Sequence, residues 1–145
     1  MGRIAYTGSM PDPGYEELDH TADWCLRVRG RDLSELLVHA AEGMLDLMQA
    51  QPRPGESRPT QLEIQADDPV ALLVQWLQEL LYRMDTAGVT FRRFVVRTQD
   101  DTRLTATLEE ADLGSLSRAI KAVTYHGLKL AKTPHGLEAT LVFDV

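Results

Sequence analysis

A chain of 145 residues favours one domain and can bury roughly 70% of its unfolded surface, so it needs no covalent staples. Its formal net charge of −7 lacks the basic footprint that supplies most nucleic-acid affinity, which directs any work on RNA or DNA through a partner. The single cysteine, Cys25, excludes an internal disulfide framework and a cysteine-based zinc cage, and no run approaches the ~18 apolar residues of a membrane span.

The opening, MGRIAYTGSMPDPG, has one arginine, no long apolar run and two prolines close to Gly14. It predicts a flexible arm over residues 1–14 rather than a secretory signal, followed by one domain over 15–145. With the lone cysteine, this fits a cytoplasmic protein. The stretch YEELDHTADWCLRVRG comes next. Its alternation puts Trp24, Leu26 and Val28 on one side of a half-buried strand and Arg27 and Arg29 on the other, with Gly30 ending it. His20, Thr21, Ala22 and Asp23 stand just before that strand. Strands tolerate aspartate poorly, so Asp23 belongs either to a loop or to a site.

RDLSELLVHAAEGMLDLM predicts a helix. Asp32 can cap it with Glu35 three residues later, and Leu33, Leu36, Leu37, Ala40, Met44, Leu47 and Met48 recur at helical spacing. QAQPRPGESRPT reads as a loop on its prolines and glycine, and QLEIQA as a strand. DDPVALLVQWLQELLYRMD predicts a second helix, capped by Asp67 or Asp68 with Pro69 at the first position. Its apolar stripe is Val70, Leu73, Val74, Leu77, Leu81 and Met84. VTFRRFVVRT and TRLTATLEE form a strand pair joined around QDD, and the doubled Arg92 and Arg93 mark a bulge. KAVTYHGLKLAKTPHGLEATLVFDV reads as a final hairpin turning at TPHG. Its last strand places Leu137, Ala139, Leu141, Phe143 and Val145 on one buried face. Strand, helix, strand, helix and then several closely spaced strands predict an α+β domain: a mixed, mostly antiparallel sheet with two main helices.

Few residues offer chemistry. Asp144 and the α-carboxylate of Val145 lie within a few ångströms of each other, and two crowded carboxylates call for a proton or a cation. Adding Asp23 would make an all-oxygen cluster suited to a hard divalent cation. The spacing does not bring Asp23 to Asp144, and the competing reading is a turn-capping Asp23 with a solvated Asp144. His20 could carry a proton or bind a ligand, or simply hydrogen-bond a turn. His126, with Lys121 in KAVTYH, is a further candidate against the reading of an ordinary strand with polar residues facing solvent. His39 and His135 receive no role. Cys25 reads as a small buried hydrophobe. There is no G-x-S-x-G elbow, P-loop or G-x-G-x-x-G.

YEELDHTADWCLRVRG followed by DLSELLVHAAEGMLDLM resembles the opening of the archease family, and ALLVQWLQELLYRMD, KAVTYHGLKL and a terminal Asp-Val follow in the family's order. The resemblance runs from about Tyr15 to Val145. It implies an archease-like fold and an accessory protein of the RNA ligase that joins tRNA halves, promoting that ligase's metal-dependent guanylylation and multiple turnover without being an enzyme. It implies a metal site of Asp23, Asp144 and the Val145 carboxylate holding a divalent cation, Ca²⁺ first with Mg²⁺ or Mn²⁺ as alternatives. His20, Lys121 and His126 would contact the partner or a phosphate, with RNA reached only through the ligase. The chain departs from the family pattern at Pro69 and Val70 in the second helix and at Leu108, where a glycine is usual. Two other functions remain open: a metal-dependent hydrolase using the same carboxylates, with His20 as base, and a chaperone-like binding module, which would require a broad exposed apolar patch.

Overall fold

The computed structural model describes residues 13–18 and 24–145. The elements run β1 (Tyr15–Leu18), β2 (Trp24–Gly30), α1 (Leu33–Met48), β3 (Gln51–Pro52), β4 (Arg58–Gln65), α2 (Pro69–Ala87), β5 (Val89–Gln99), β6 (Arg103–Ser115), β7 (Ala122–Thr133) and β8 (Gly136–Asp144). One sheet has the order β1-β2-β8-β7. In the other, β6 is central, with β5 on one edge and β4, then β3, along the opposite edge. Every described pairing is antiparallel, and the two helices make this an α+β fold.

The helices lie between the sheets. α1 packs on β1, β2 and β8 and also on β5, while α2 packs on β7 and on β4, β5 and β6. Contact on two sides explains why α1 is buried beyond its predicted stripe: Ala41, Gly43 and Leu45 are buried as well. α2 likewise adds Leu72, Trp76 and Leu80 to its stripe, whereas Val70 is only half-buried. Trp76 joins the layers. Its indole N–H donates to the Leu37 carbonyl at 2.8 Å, and its ring meets Phe94 edge-on at 5.8 Å between centroids. Gly43 is needed where α1 crosses the first sheet. A Cβ there would come within 2.8 Å of both Leu26 Cδ2 and Tyr15 Cγ.

The local signals place the ends. Asp32 caps α1 by accepting from the Glu35 N–H at 2.9 Å, and Glu35 Oε1 accepts from the Arg31 N–H at 2.9 Å, one residue before the usual capping-box partner. Asp68, not Asp67, caps α2 by accepting from the Ala71 N–H at 2.8 Å, with Pro69 following. Pro69 and Val70 are therefore ordinary first-turn residues, and Leu108 is fully buried in β6. The β5–β6 turn uses Asp100 and Asp101 at φ 56 and 55, a left-handed pair that aspartate tolerates better than most residues. The β5–β6 register steps from Phe91 to Arg93, so the bulge falls on Arg92, whose guanidinium donates to the Arg53 carbonyl at 2.8 Å.

Three expectations need correction. The proline-rich stretch expected as a loop contains β3 and the start of β4, because Arg53 N–H finds the Asp112 carbonyl and Arg58 pairs with Glu110 across β6. β6 continues to Ser115, five residues beyond Glu110, held there by β3. Val145 is not part of the buried face: β8 ends at Asp144, and Val145 is 42% exposed because no strand pair holds it. Cys25 is buried, as expected of a small hydrophobe. Residues 1–12 of the expected arm lie outside the described residues. Gly14 is buried, and its carbonyl accepts from the Arg29 N–H at 2.6 Å.

Candidate functional site

β8 is an interior strand of the first sheet, with β2 on one side and β7 on the other. Its end therefore collects residues from both neighbours. Trp24, the first residue of β2, pairs with Phe143, and Ala122, the first residue of β7, pairs with Asp144. The Lys121 N–H donates to the Asp144 carbonyl at 2.8 Å. Three stretches singled out in the sequence thus meet at one sheet end: the strand after HTAD, the start of KAVTYH and the terminal Asp-Val. Lys121, Asp144 and Val145 are all exposed there.

The same end holds a cation that sequence reasoning missed. The Arg118 guanidinium lies 4.8 Å from the centroid of the Trp24 ring and 3.9 Å from a Glu17 carboxylate oxygen. Its backbone is anchored, since the N–H groups of Ser117 and Arg118 both donate to the Met48 carbonyl at 3.1 Å, at the C-terminal end of α1. Proximity to Lys121 in the chain was the only local signal for Arg118. Its aromatic partner comes from the opposite end of the sequence.

His126 is placed differently. The β7–β8 register passes from Thr124↔Val142 to Lys129↔Thr140, so residues 125–128 bulge out of the ladder. Gly127 turns this bulge at φ 78, and a Cβ there would approach Val142 Cγ2 to 3.3 Å. The His126 N–H donates to Thr124 Oγ1 at 2.8 Å, and its ring is exposed beside Tyr125, itself 58% exposed. KAVTYH is therefore not a plain strand: Lys121 stands at the sheet end with Asp144, while His126 is carried outward by the bulge. His39, given no role, has one in structure, with its Nδ1 2.6 Å from the Arg29 carbonyl oxygen.

Among the described residues, no group of three His, Cys, Asp or Glu side chains comes together to hold a metal ion. Asp144 and Val145 supply exposed oxygen donors, the kind a hard cation takes. The expected ligand Asp23 and the candidate His20 lie outside the described residues. No described helix is long and apolar enough to cross a membrane. The exposed large apolar side chains among the described residues are Tyr82, Val95, Leu116, Tyr125 and Val145, which sit on different elements.

Comparison with known proteins places this arrangement. The model of the Archease protein family matches residues 15–145. A protein archease of Methanosarcina barkeri is 34% identical over 139 residues, covering 90% of this chain and 95% of that protein. One from Methanothermobacter thermautotrophicus is 33% identical over 138 residues, covering 91% and 99%. The solution structure of protein 1598 of Methanobacterium thermoautotrophicum superposes with a TM-score of 0.67 at 28% identity, covering 92% of this chain and 99% of that one. The crystal structure of a Thermotoga maritima archease, described as a possible chaperone, has the same fold at TM-score 0.68 and 19% identity, covering 97% and 99%.

Proposed function

Because this chain belongs to the archease family, we propose that it is a non-enzymatic accessory protein that docks on an RNA ligase and assists the ligase's metal-dependent guanylylation and turnover. The observation that carries this reading is the meeting of Asp144 with Lys121 at the end of β8, one residue from the Trp24↔Phe143 pair. Asp23 directly precedes Trp24 in the chain.

In this reading Asp23, Asp144 and the Val145 carboxylate hold a divalent cation, Ca²⁺, Mg²⁺ or Mn²⁺. When bound, the ion supplies positive charge for phosphate oxygens. The chain's own residues do the rest. Asp144 is held in the ladder by its pairing with Ala122 of β7, and Lys121 and Arg118 add cationic side chains at the same edge, where they complement an anionic substrate held by the ligase. A net charge of −7 suits contact with RNA through the ligase rather than directly. His126 and Tyr125, exposed on the bulge, would contact the partner.

The test is ligation by the purified partner ligase, with and without this chain, at substrate in excess of enzyme. The expected result is more product per ligase molecule with the chain present, and no phosphodiester or nucleotide hydrolysis by the chain alone. Metal-dependent hydrolysis by the purified chain, lost in Asp144→Ala, would instead establish the hydrolase reading.

A further inference from the structure

A groove of ≈ 810 Å³ runs along the outward face of α2 and reaches the end of β8 only through Lys121. Ile64, Leu81 and Ile120 give it apolar surface, Gln75 and Gln78 line it with amides, and Lys121 closes the end nearest Asp144. Tyr82, 63% exposed, stands on its rim. A large aromatic held this far into water on a helix is the type of side chain that anchors protein interfaces.

Two further features define what would fill the groove. The first is a strand edge. β4 pairs with β6, and no second strand pairs with it among the described residues. The Ala66 N–H donates to the Thr102 carbonyl at 2.7 Å, which continues the β4–β6 ladder by one pair. Peptide groups alternate direction along an antiparallel strand, so those of Gln61, Glu63 and Gln65 point to the free edge. Pro59 shares that parity, and it is tolerated there because its missing N–H is owed to no partner. The second is charge. Glu79 is occupied by Arg83 at 2.9 Å, but Asp85 and Lys121 have no ion-pair partner among the described residues. The groove therefore offers a carboxylate on α2 and, at Lys121, an ammonium. Carboxylates on its α2 wall oppose a nucleic-acid strand and favour a polypeptide.

We propose that this groove docks an extended segment of the partner ligase, which adds as a strand to the free edge of β4, seats an apolar side chain on Ile64, Leu81 and Ile120, and meets Asp85 with a basic residue. Main-chain bonding to β4 supplies affinity, and the apolar floor and Asp85 supply specificity. Lys121 belongs to both the groove and the end of β8, so a segment seated here holds the ligase beside Asp144. The proposal rests on the ligase-activator reading and adds the surface by which the ligase is held.

The experiment measures binding of purified ligase to immobilised wild type, Tyr82→Ala, Asp85→Lys, Glu63→Pro and Asp144→Ala, with ligation assays in parallel and thermal melts to confirm folding. The groove predicts that Tyr82→Ala and Asp85→Lys each weaken binding by about tenfold or more, the scale of a lost interface anchor. Glu63→Pro, which removes an edge-facing N–H at an exposed position, should weaken it too. Asp144→Ala should bind and fail to activate. If Tyr82→Ala and Asp85→Lys bind like wild type, the groove is not the docking surface, whatever happens to activation. If wild type binds through the groove but does not stimulate ligation, the docking surface stands and the activator reading falls. If wild type does not bind the ligase, both are overturned.

Discussion

Trp24 and Phe143 sit opposite each other across β2 and β8, and this single pair brings the residue after HTAD to the residue before Asp144. The candidate metal site depends on that adjacency. Removing either expected carboxylate should therefore remove the same binding event. In calorimetric titrations with Ca²⁺, Mg²⁺ and Mn²⁺, Asp23→Ala and Asp144→Ala are each expected to weaken binding by more than about tenfold, or ~1.4 kcal/mol. A variant that binds like wild type takes its aspartate out of the site. Soft ions should bind poorly to both wild type and variants, since the donors are oxygens.

Val145 follows the last residue of β8 and is 42% exposed, so added residues meet no packed core. A Gly-Ser extension after Val145 would turn its carboxylate into a peptide carbonyl and take one negative charge from the site. The expected outcome is weaker cation binding and weaker ligase activation at an unchanged melting temperature in the absence of metal. An extended protein that keeps wild-type cation affinity shows that the Val145 carboxylate is not a ligand.

Gly43 gives a test in which two effects have opposite signs. Helix propensity alone favours alanine over glycine by about 1 kcal/mol in a helix interior. The alanine Cβ would lie within 2.8 Å of Leu26 Cδ2 and of Tyr15 Cγ, and Leu26 is buried, at 1% exposed. Overpacking of this kind costs about 1–3 kcal/mol, so packing should win. Gly43→Ala is expected to lower stability in urea denaturation. A gain would mean that the β1–β2 layer yields to the added methyl.

The Arg31–Glu35 pair carries a pH signature. Arg31 holds the Glu35 carboxyl below its ordinary range, first through hydrogen bonds from its guanidinium and then through one from its backbone N–H. A depressed carboxyl stabilises the fold above the unfolded glutamate pKa of about 4.3, and the contribution disappears as pH falls through the lower folded value. Glu35→Gln should therefore melt below wild type at neutral pH and match it in acid. The neutral-pH difference should be small and should shrink with salt, because the Arg31 side chain is 84% exposed. A constant difference at all pH values would assign the effect to the helix start rather than to the ion pair.

Local chemistry makes much of this protein legible in its sequence. Asp32 and Asp68 mark helix starts because a short carboxylate can satisfy a free N–H only there. The alternation of Trp24, Leu26 and Val28, the bulge at Arg92 and the Thr133–Gly136 turn likewise follow from neighbours in the chain. What required the tertiary structure was pairing between distant segments. β8 pairs with β2 as well as with its hairpin partner β7, and this pairing sets Trp24 on Phe143 at the sheet end where the hairpin holds Lys121 to Asp144. Arg118 finds Trp24 because α1 ends at Met48 and anchors the loop before β7. The β7 bulge and the exposed Val145 also escaped the alternation pattern, because hydrophobic periodicity reports which face is apolar but not where a ladder loses its partner.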